Sequence, residues 1–131
     1  MVKSKLHILP TDNTPEFIFN PDGIIKIKGR ALVVNKTDVP EDIMSWINEY
    51  LSDPADITRV IVAFEYLNSF STTILATIFR KIVQVIFLDK KFVIQWYYEE
   101  GDEDILERGE YISAVHDIPI EFIMTKNINS C

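Results

Sequence analysis

One nearly unbroken apolar run, ITRVIVAFEYL, constrains the fold of this chain more than any other feature. The run covers residues 57–67, and from Val60 onward it is apolar at both alternating positions except at Glu65. A strand that is apolar on both faces is typical of the centre of a sheet that is covered by helices on either side. The run therefore predicts a buried central strand in an α/β fold.

Two strand-like segments, EFIF and IIKIKG, flank the turn signal NPDG nearer the amino terminus. In the second segment, Ile25 and Ile27 alternate with Lys26 and Lys28, as expected for a strand with one buried and one solvated face. Pro-Asp-Gly between two such segments favours a tight turn. We expect a hairpin that lies toward an edge of the sheet.

Helical patterns occupy the intervals between the later strands. The first helix is predicted from Pro40, with Asp38 or Val39 at its cap, and its apolar stripe consists of Ile43, Trp46, Ile47, Tyr50 and Leu51. The second runs from about Ser71 to Leu88 with Ile86 on its apolar stripe, and the third lies within DEDILERGEYISAV. With strands at FVIQWYYE and PIEFIMT, the order is ββαβαβαβ, an α/β fold whose mixed sheet has about five strands and about three helices.

Composition sets limits on the class of protein. A length of 131 residues with 47% hydrophobic residues predicts one domain over residues 1–131 with a single core. The formal charge of -7 disfavours nucleic acid as a partner, because such binding depends on Lys and Arg. The single cysteine, Cys131, allows no disulfide framework, and we identify neither a secretory signal nor a membrane span, so a cytoplasmic location is expected.

The join between the central strand and the second helix, YLNSFSTTI, is rich in hydroxyl groups. Open α/β sheets place their sites at the carboxyl ends of strands, where loops meet helix N-termini. Asn68, Ser69 or Ser71 could cap the helix with a side-chain oxygen, which is worth ~1 kcal/mol. The backbone N–H groups of the first helical turn have no acceptor within the helix, and they would also stabilise an added phosphate. The sequence thus predicts either a simple cap or a phosphorylation switch at this join.

Several segments, in order, resemble one known family. TPEFIF and DGIIKIKG near the start, YLNSFSTTIL at the join and WYYEEGDEDILERGEYI near the end look like the SiaC family of bacterial biofilm-regulation phosphoproteins. The resemblance covers nearly the whole chain. It implies a fold similar to that of STAS-domain anti-sigma-factor antagonists, in which a hydroxyl residue is phosphorylated at the start of the helix after the central strand.

The resemblance also implies site residues and partners. The family's tyrosine-asparagine-threonine pattern matches Tyr66 to Asn68 and places the phosphoacceptor at Ser69, with Ser71 and Thr72 as alternatives. Partner contacts are expected at the surrounding residues Tyr66, Asn68, Phe70 and Thr73. A dedicated kinase and a phosphatase would set the phosphorylation state, and the unphosphorylated protein would bind and activate a diguanylate cyclase.

Two other classes of function stay open. The acid cluster of residues 99–107, together with Tyr98, could belong to a small enzyme, although a solvated helix start explains the same acids. The acids lack the spacing of a calcium loop, and we find no motif for a nucleotide, a metal or another cofactor. We therefore expect no enzymatic activity, no metal and no cofactor. The second alternative is a structural adaptor that is not modified.

Overall fold

The computed structural model describes residues 4–35 and 40–131, and their centre is one mixed sheet. Within these residues, the strands are β1 Leu6–Ile8, β2 Glu16–Phe19, β3 Ile24–Ala31, β4 Ile57–Leu67, β5 Lys91–Glu99 and β6 Glu121–Thr125. They lie in the sheet in the same order as in the chain. The β1, β2 and β3 strands pair antiparallel, and each pairing from β3 to β6 is parallel.

The predicted hairpin is confirmed, and it lies toward one edge of the sheet, beside the edge strand. The turn at residues 20–23 joins β2 to β3, and Gly23 adopts a positive φ of 107° there, which favours glycine. The edge strand is β1, which pairs with β2 and was not predicted from the sequence. Because β1 has only three residues, it is too short to display a period of two.

The described residues form three α-helices, α1 Asp42–Ser52, α2 Ser69–Ile82 and α3 Glu103–His116. The predicted cap residues of α1, Asp38 and Val39, lie outside the described residues. The helix begins at Asp42, two residues after the predicted start at Pro40. Its predicted stripe is confirmed, since Ile43, Trp46, Ile47 and Tyr50 are buried and Leu51 is half-buried. The mixed α/β fold is therefore confirmed, with β1 as a sixth strand.

The three α-helices of the described residues cover only one face of the sheet, so the prediction of helices on either side of the central strand is wrong. In β4, Val60, Val62 and Phe64 are buried, whereas Arg59 and Glu65 are exposed. The α2 helix contacts both α1 and α3, so the three helices form one layer. Every crossover from β3 to β6 steps in the same direction across the sheet, and right-handed crossovers of that kind place their helices on the same face.

The second helix differs from its prediction at both ends. It begins at Ser69, and after Ile82 the chain continues as a 3-10 helix, Val83–Leu88. Ile86 was expected on the buried stripe but is 44% exposed. The reason is that a 3-10 helix has three residues per turn and rotates the stripe away from the sheet.

The same stretch, Ser69–Leu88, is the one segment of the described chain that is long and apolar enough to cross a membrane by length and composition. Part of this stretch packs onto the sheet, however, since the side chains of Leu75, Ile78, Phe79 and Ile82 are buried in the core. These contacts are those of a core helix in the fold.

Candidate functional site

The candidate site lies at the carboxyl end of β4, where a bulge redirects the strand. Gly29 of β3 pairs with Phe64 and Arg30 pairs with Tyr66, so Glu65 is an extra residue on β4. A bulge bends its strand and changes which side chains face the core. Glu65 and Tyr66 are both exposed as a result, while Leu67 is buried.

Asn68 joins this strand to α2 and caps the helix. Its side-chain Oδ1 accepts a hydrogen bond from the backbone N–H of Ser71 at 2.8 Å. Its Nδ2 donates to the carbonyl oxygen of Val33 at 3.0 Å, and its backbone N–H donates to the carbonyl of Ala31 at 3.0 Å. Of the residues that the sequence offered as caps, Asn68 takes the role, since its side-chain oxygen accepts from a backbone N–H of the first helical turn.

Ser71 and Thr72, the alternative phosphoacceptors, are buried, with 5% and 7% of their surface exposed. The Ser71 hydroxyl accepts a hydrogen bond from the backbone N–H of Val33 at 3.0 Å. The Thr72 hydroxyl donates to the carbonyl oxygen of Asn68 at 2.8 Å. Both hydroxyls therefore act within the fold, and a phosphate on either would have to displace packed neighbours.

Ser69 differs from both because it is exposed, at the first position of α2. Its hydroxyl lies 3.3 Å from Nη1 of Arg108, which belongs to α3. Among the described residues, the backbone N–H groups of Ser69 and Phe70 have no acceptor, as is usual in a first helical turn. The site thus combines an accessible hydroxyl, free N–H groups and a cation.

Arg108 is held in place by its own helix. Its Nε donates to Oδ2 of Asp104 at 3.1 Å, an ion pair between residues four apart on α3. Its Nη1 lies 3.4 Å from the Thr72 hydroxyl as well as close to Ser69. Arg108 and Ser69 both line a groove between α2 and α3, which has a volume of about 610 Å³.

The residues predicted to contact a partner lie in two settings. Tyr66, Phe70 and Thr73 are exposed, the first two by 50% and 40%. The guanidinium of Arg30 stacks over the ring of Tyr66 at 4.4 Å. Asn68 is half-buried, and its side chain is committed to the cap. Their contact with a partner stays a prediction.

The sequence-based reasoning missed both Arg108 and Arg30. Asp104 and Arg108 do have the spacing of an ion pair on one helix face. Nothing in the sequence, however, indicated that this face of α3 would lie beside the first turn of α2. Arg30 carried no signal either, because the bulge that pairs it with Tyr66 is a property of the folded sheet.

The acid cluster mostly marks the start of α3. Asp102 caps the helix by accepting from the backbone N–H of Ile105 at 3.2 Å, and Glu103 and Asp104 follow in the first turn. Negative charge at that end stabilises a helix through its dipole. Over residues 4–35 and 40–131, no group of three or more His, Cys, Asp or Glu side chains is arranged to hold a metal ion.

Three solved structures of similar fold come from Pseudomonas aeruginosa. The apo form of SiaC from Pseudomonas aeruginosa matches with a TM-score of 0.78 and 19% identity, covering 92% of this chain and 98% of that one. A second SiaC structure from the same organism has a TM-score of 0.79 and 18% identity and covers 94% and 100%. A third is SiaC bound as activator to the diguanylate cyclase SiaD, with a TM-score of 0.77, 20% identity and coverage of 92% and 99%. At these identities the likeness shows the shared fold.

The family assignment comes from the sequence model. None of the curated proteins matches the chain. The model of the SiaC family of regulatory phosphoproteins matches residues 8–125, which is most of the chain and includes the whole join between β4 and α2. The chain therefore belongs to the SiaC family of regulatory phosphoproteins.

Proposed function

We propose that this protein is a non-enzymatic switch in which phosphorylation of Ser69 controls binding to a signalling partner, a diguanylate cyclase. The observation that carries the proposal is the difference in exposure among the three candidate hydroxyls. Ser69 is open to solvent, whereas Ser71 and Thr72 are buried and hydrogen-bonded within the fold. Membership of a regulatory phosphoprotein family and the SiaC–SiaD complex support it.

The chemistry of the switch is supplied by partner enzymes. A kinase transfers the γ-phosphoryl group of ATP to Oγ of Ser69, so that the new O–P bond replaces the bond to ADP and the hydroxyl proton passes to a base of the kinase. A phosphatase then hydrolyses the ester with water and releases inorganic phosphate. Both reactions need a hydroxyl that another protein can reach, and this need favours Ser69.

Phosphorylation changes the surface while leaving the fold in place. The phosphate adds about -1.5 to -2 of charge at the positive end of α2, where an anion is stabilised. A partner that packs against the exposed residues Tyr66, Phe70 and Thr73 would have to desolvate this dianion, which costs several kcal/mol. About 5.5 kcal/mol is enough to move an equilibrium from nearly all bound to nearly none. We place this exchange in the cytoplasm.

Partner capture from an extract of the protein's own cells tests the proposal. Wild-type protein and a form with phosphoserine encoded at position 69 are immobilised, and the captured material is assayed for synthesis of cyclic di-GMP from GTP. We expect cyclase activity on the unmodified protein and its loss on the modified one. Phosphoserine encoded at Ser45, which is exposed on α1, is the matched control and should retain capture. Equal cyclase activity on the wild-type protein and the form modified at position 69 would contradict the proposal.

The structure offers a weaker basis for an enzyme. The acids at the start of α3 have roles as a cap and an ion pair, and Tyr98 is half-buried in β5. The acids therefore have structural roles that need no catalytic explanation, and we do not propose an enzymatic function.

A further inference from the structure

The charges around the groove between α2 and α3 are unevenly distributed along its length. Asp104, Glu107 and Arg108 line it beside the first turn of α2, whereas Arg80 and His116 line it at the other end. Arg80 is eleven residues beyond Ser69, about 16 Å along the helix at ~1.5 Å per residue. A phosphate on Ser69 would therefore meet two carboxylates and, among the groove-lining residues, one nearby cation.

That cation already faces the hydroxyl. Nη1 of Arg108 lies 3.3 Å from Oγ of Ser69 and 3.4 Å from Oγ1 of Thr72, which are long contacts with weak neutral acceptors. The guanidinium carries five N–H donors, and the contacts to Asp104, Ser69 and Thr72 account for three of them. It can therefore donate hydrogen bonds to further oxygens without first giving up its ion pair.

The position of Arg108 is also preorganised. Its helix is fixed to the sheet by the buried residues Ile105, Gly109 and Ile112, which flank position 108 on the inner face of α3. The Asp104 carboxylate orients the guanidinium from the solvent side, because that carboxylate is itself 68% exposed. These contacts favour a side-chain conformation in which the guanidinium already lies beside the Ser69 hydroxyl.

We infer that Arg108 is the positioning residue that holds the phosphate of phosphorylated Ser69 against the protein's own surface. This inference rests on the proposed function, in which Ser69 is the acceptor. Phosphate oxygens are strong acceptors, and a charge-assisted bond from a guanidinium is shorter and about twice as strong as a neutral one. We call this contact between Arg108 and the phosphate the clamp. It joins the first turn of α2 to α3 and offsets the repulsion from Asp104 and Glu107.

The phosphate itself reports on the clamp. A cation beside phosphoserine favours the dianion and lowers its second pKa, which is ordinarily about 6. With phosphoserine encoded at position 69, a phosphorus NMR titration should show a higher pKa in Arg108→Gln than in wild type, by roughly 0.5 unit for this partly solvated pair. Arg108→Lys should lie between the two, since it keeps the charge but loses the fork.

Arg80→Gln is the matched control. It removes the same charge from the same groove, but from a distance beyond the Debye length of about 10 Å at 0.1 M salt. The inference predicts a shift for Arg80→Gln that is less than half the shift for Arg108→Gln. Equal shifts, or no shift in either variant, would overturn it.

A second measurement needs no substitution at Arg108. In proton–nitrogen NMR of the arginine side chains, adding phosphoserine at position 69 should move the Nε–H resonance of Arg108 and slow its exchange with water, while that of Arg80 stays in place. An unchanged Arg108 resonance would overturn the clamp. Because the phosphoserine is encoded, these results do not depend on any kinase, and failure of a kinase to modify Ser69 would count against the proposed function alone.

Discussion

Within the four residues 69–72, three hydroxyl groups have different roles. The Ser71 hydroxyl ties α2 to the segment after β3, the Thr72 hydroxyl bonds the carbonyl of Asn68, and the Ser69 hydroxyl faces solvent and Arg108. The first two are parts of the fold, and their loss would damage function through stability. The stability of each variant must therefore be measured before a loss of function caused by a substitution at this join is attributed to the proposed switch.

Replacing Ser71 with alanine should lower the free energy of unfolding by about 1–3 kcal/mol, because the buried N–H of Val33 would lose its acceptor. Ser69→Ala should change it by no more than about 0.5 kcal/mol, as is usual at exposed positions. Urea unfolding of both variants beside wild type measures the difference. A larger loss for Ser69→Ala than for Ser71→Ala would contradict the assignment of roles.

Asn68→Ala should cost about 1–3 kcal/mol, because it removes the cap on the Ser71 N–H and leaves the Val33 carbonyl unpaired. Asn68→Asp keeps an acceptor oxygen for the cap and adds favourable charge at the helix start. It loses the donor to Val33 and places a carboxylate oxygen near that carbonyl, which offsets part of the gain, so thermal unfolding should place it between wild type and Asn68→Ala. If aspartate proved as damaging as alanine, the cap would not be the main contribution of Asn68.

The sequence was sufficient to predict the join between β4 and α2 but not to rank its hydroxyls by burial. Small polar residues after an apolar strand predict a helix start, and that prediction is confirmed. Which hydroxyl is buried depends on Val33, which lies 38 residues before Ser71 in the chain and meets it only in the folded state. Family resemblance, and not local pattern, placed the acceptor at Ser69, and that assignment stays a prediction.

At the scale of secondary structure, the close approach of α3 to the sheet depends on Gly109. A Cβ atom there would lie 2.7 Å from Cε1 of Phe122 and 2.7 Å from Cε2 of Trp96. Trp96 is fully buried, and its Nε1 donates to the carbonyl of Ile105, so its ring cannot move freely. This approach fixes the position of α3 and therefore of Arg108 beside Ser69.

Gly109→Ala should destabilise the protein, although alanine favours a helix by ~1 kcal/mol relative to glycine. Overpacking of a core costs about 1–3 kcal/mol, and here two ring systems would have to shift. We expect a net loss in urea unfolding, whereas Glu110→Ala, on the exposed side of the same helix, should stay within about 0.5 kcal/mol of wild type. A Gly109→Ala protein as stable as wild type would show that α3 can move away from the sheet.

The predicted ends of α2 were wrong because contacts with other parts of the fold determine where this helix begins and ends. Asn68, Ser69 and Ser71 are all acceptable caps by composition, and the start at Ser69 follows from the bond of Asn68 to Val33. The carboxyl end of α2 tightens into a 3-10 helix, which the apolar spacing did not reveal. Helices with one continuous buried stripe, such as α1, were predicted well because packing and periodicity agree.

For the whole molecule, the main difference from expectation is the single layer of helices. An apolar run predicts that a strand is buried, but it does not show whether α-helices cover both faces of the sheet or only one. On that second face, the short 3-10 helix Ile128–Ser130 contacts β4 and β5, with Ile128 buried. The handedness rule would have placed all helices on one face if the strand order had been known, and the order is not visible in the sequence.

We propose that the chain unfolds as one domain, since α1 and β5 share a continuous core. Trp46 of α1 and Trp96 of β5 both belong to it and report on different regions. In each of Trp46→Phe and Trp96→Phe, the fluorescence of the remaining tryptophan should give the same denaturant midpoint as far-ultraviolet circular dichroism. Separate midpoints within one variant would indicate two independently unfolding parts.

The central claim is that Ser69 carries the phosphate, and localising that phosphate in protein isolated from its own cells tests it most directly. Trypsin cleaves after Arg59 and Arg80 and releases residues 60–80, in which Phe70 separates Ser69 from Ser71 and allows fragmentation to distinguish them. We expect a single phosphate on Ser69 that disappears from this peptide in Ser69→Ala. A phosphate on Ser71 or Thr72, or one that persists in Ser69→Ala, would contradict the account.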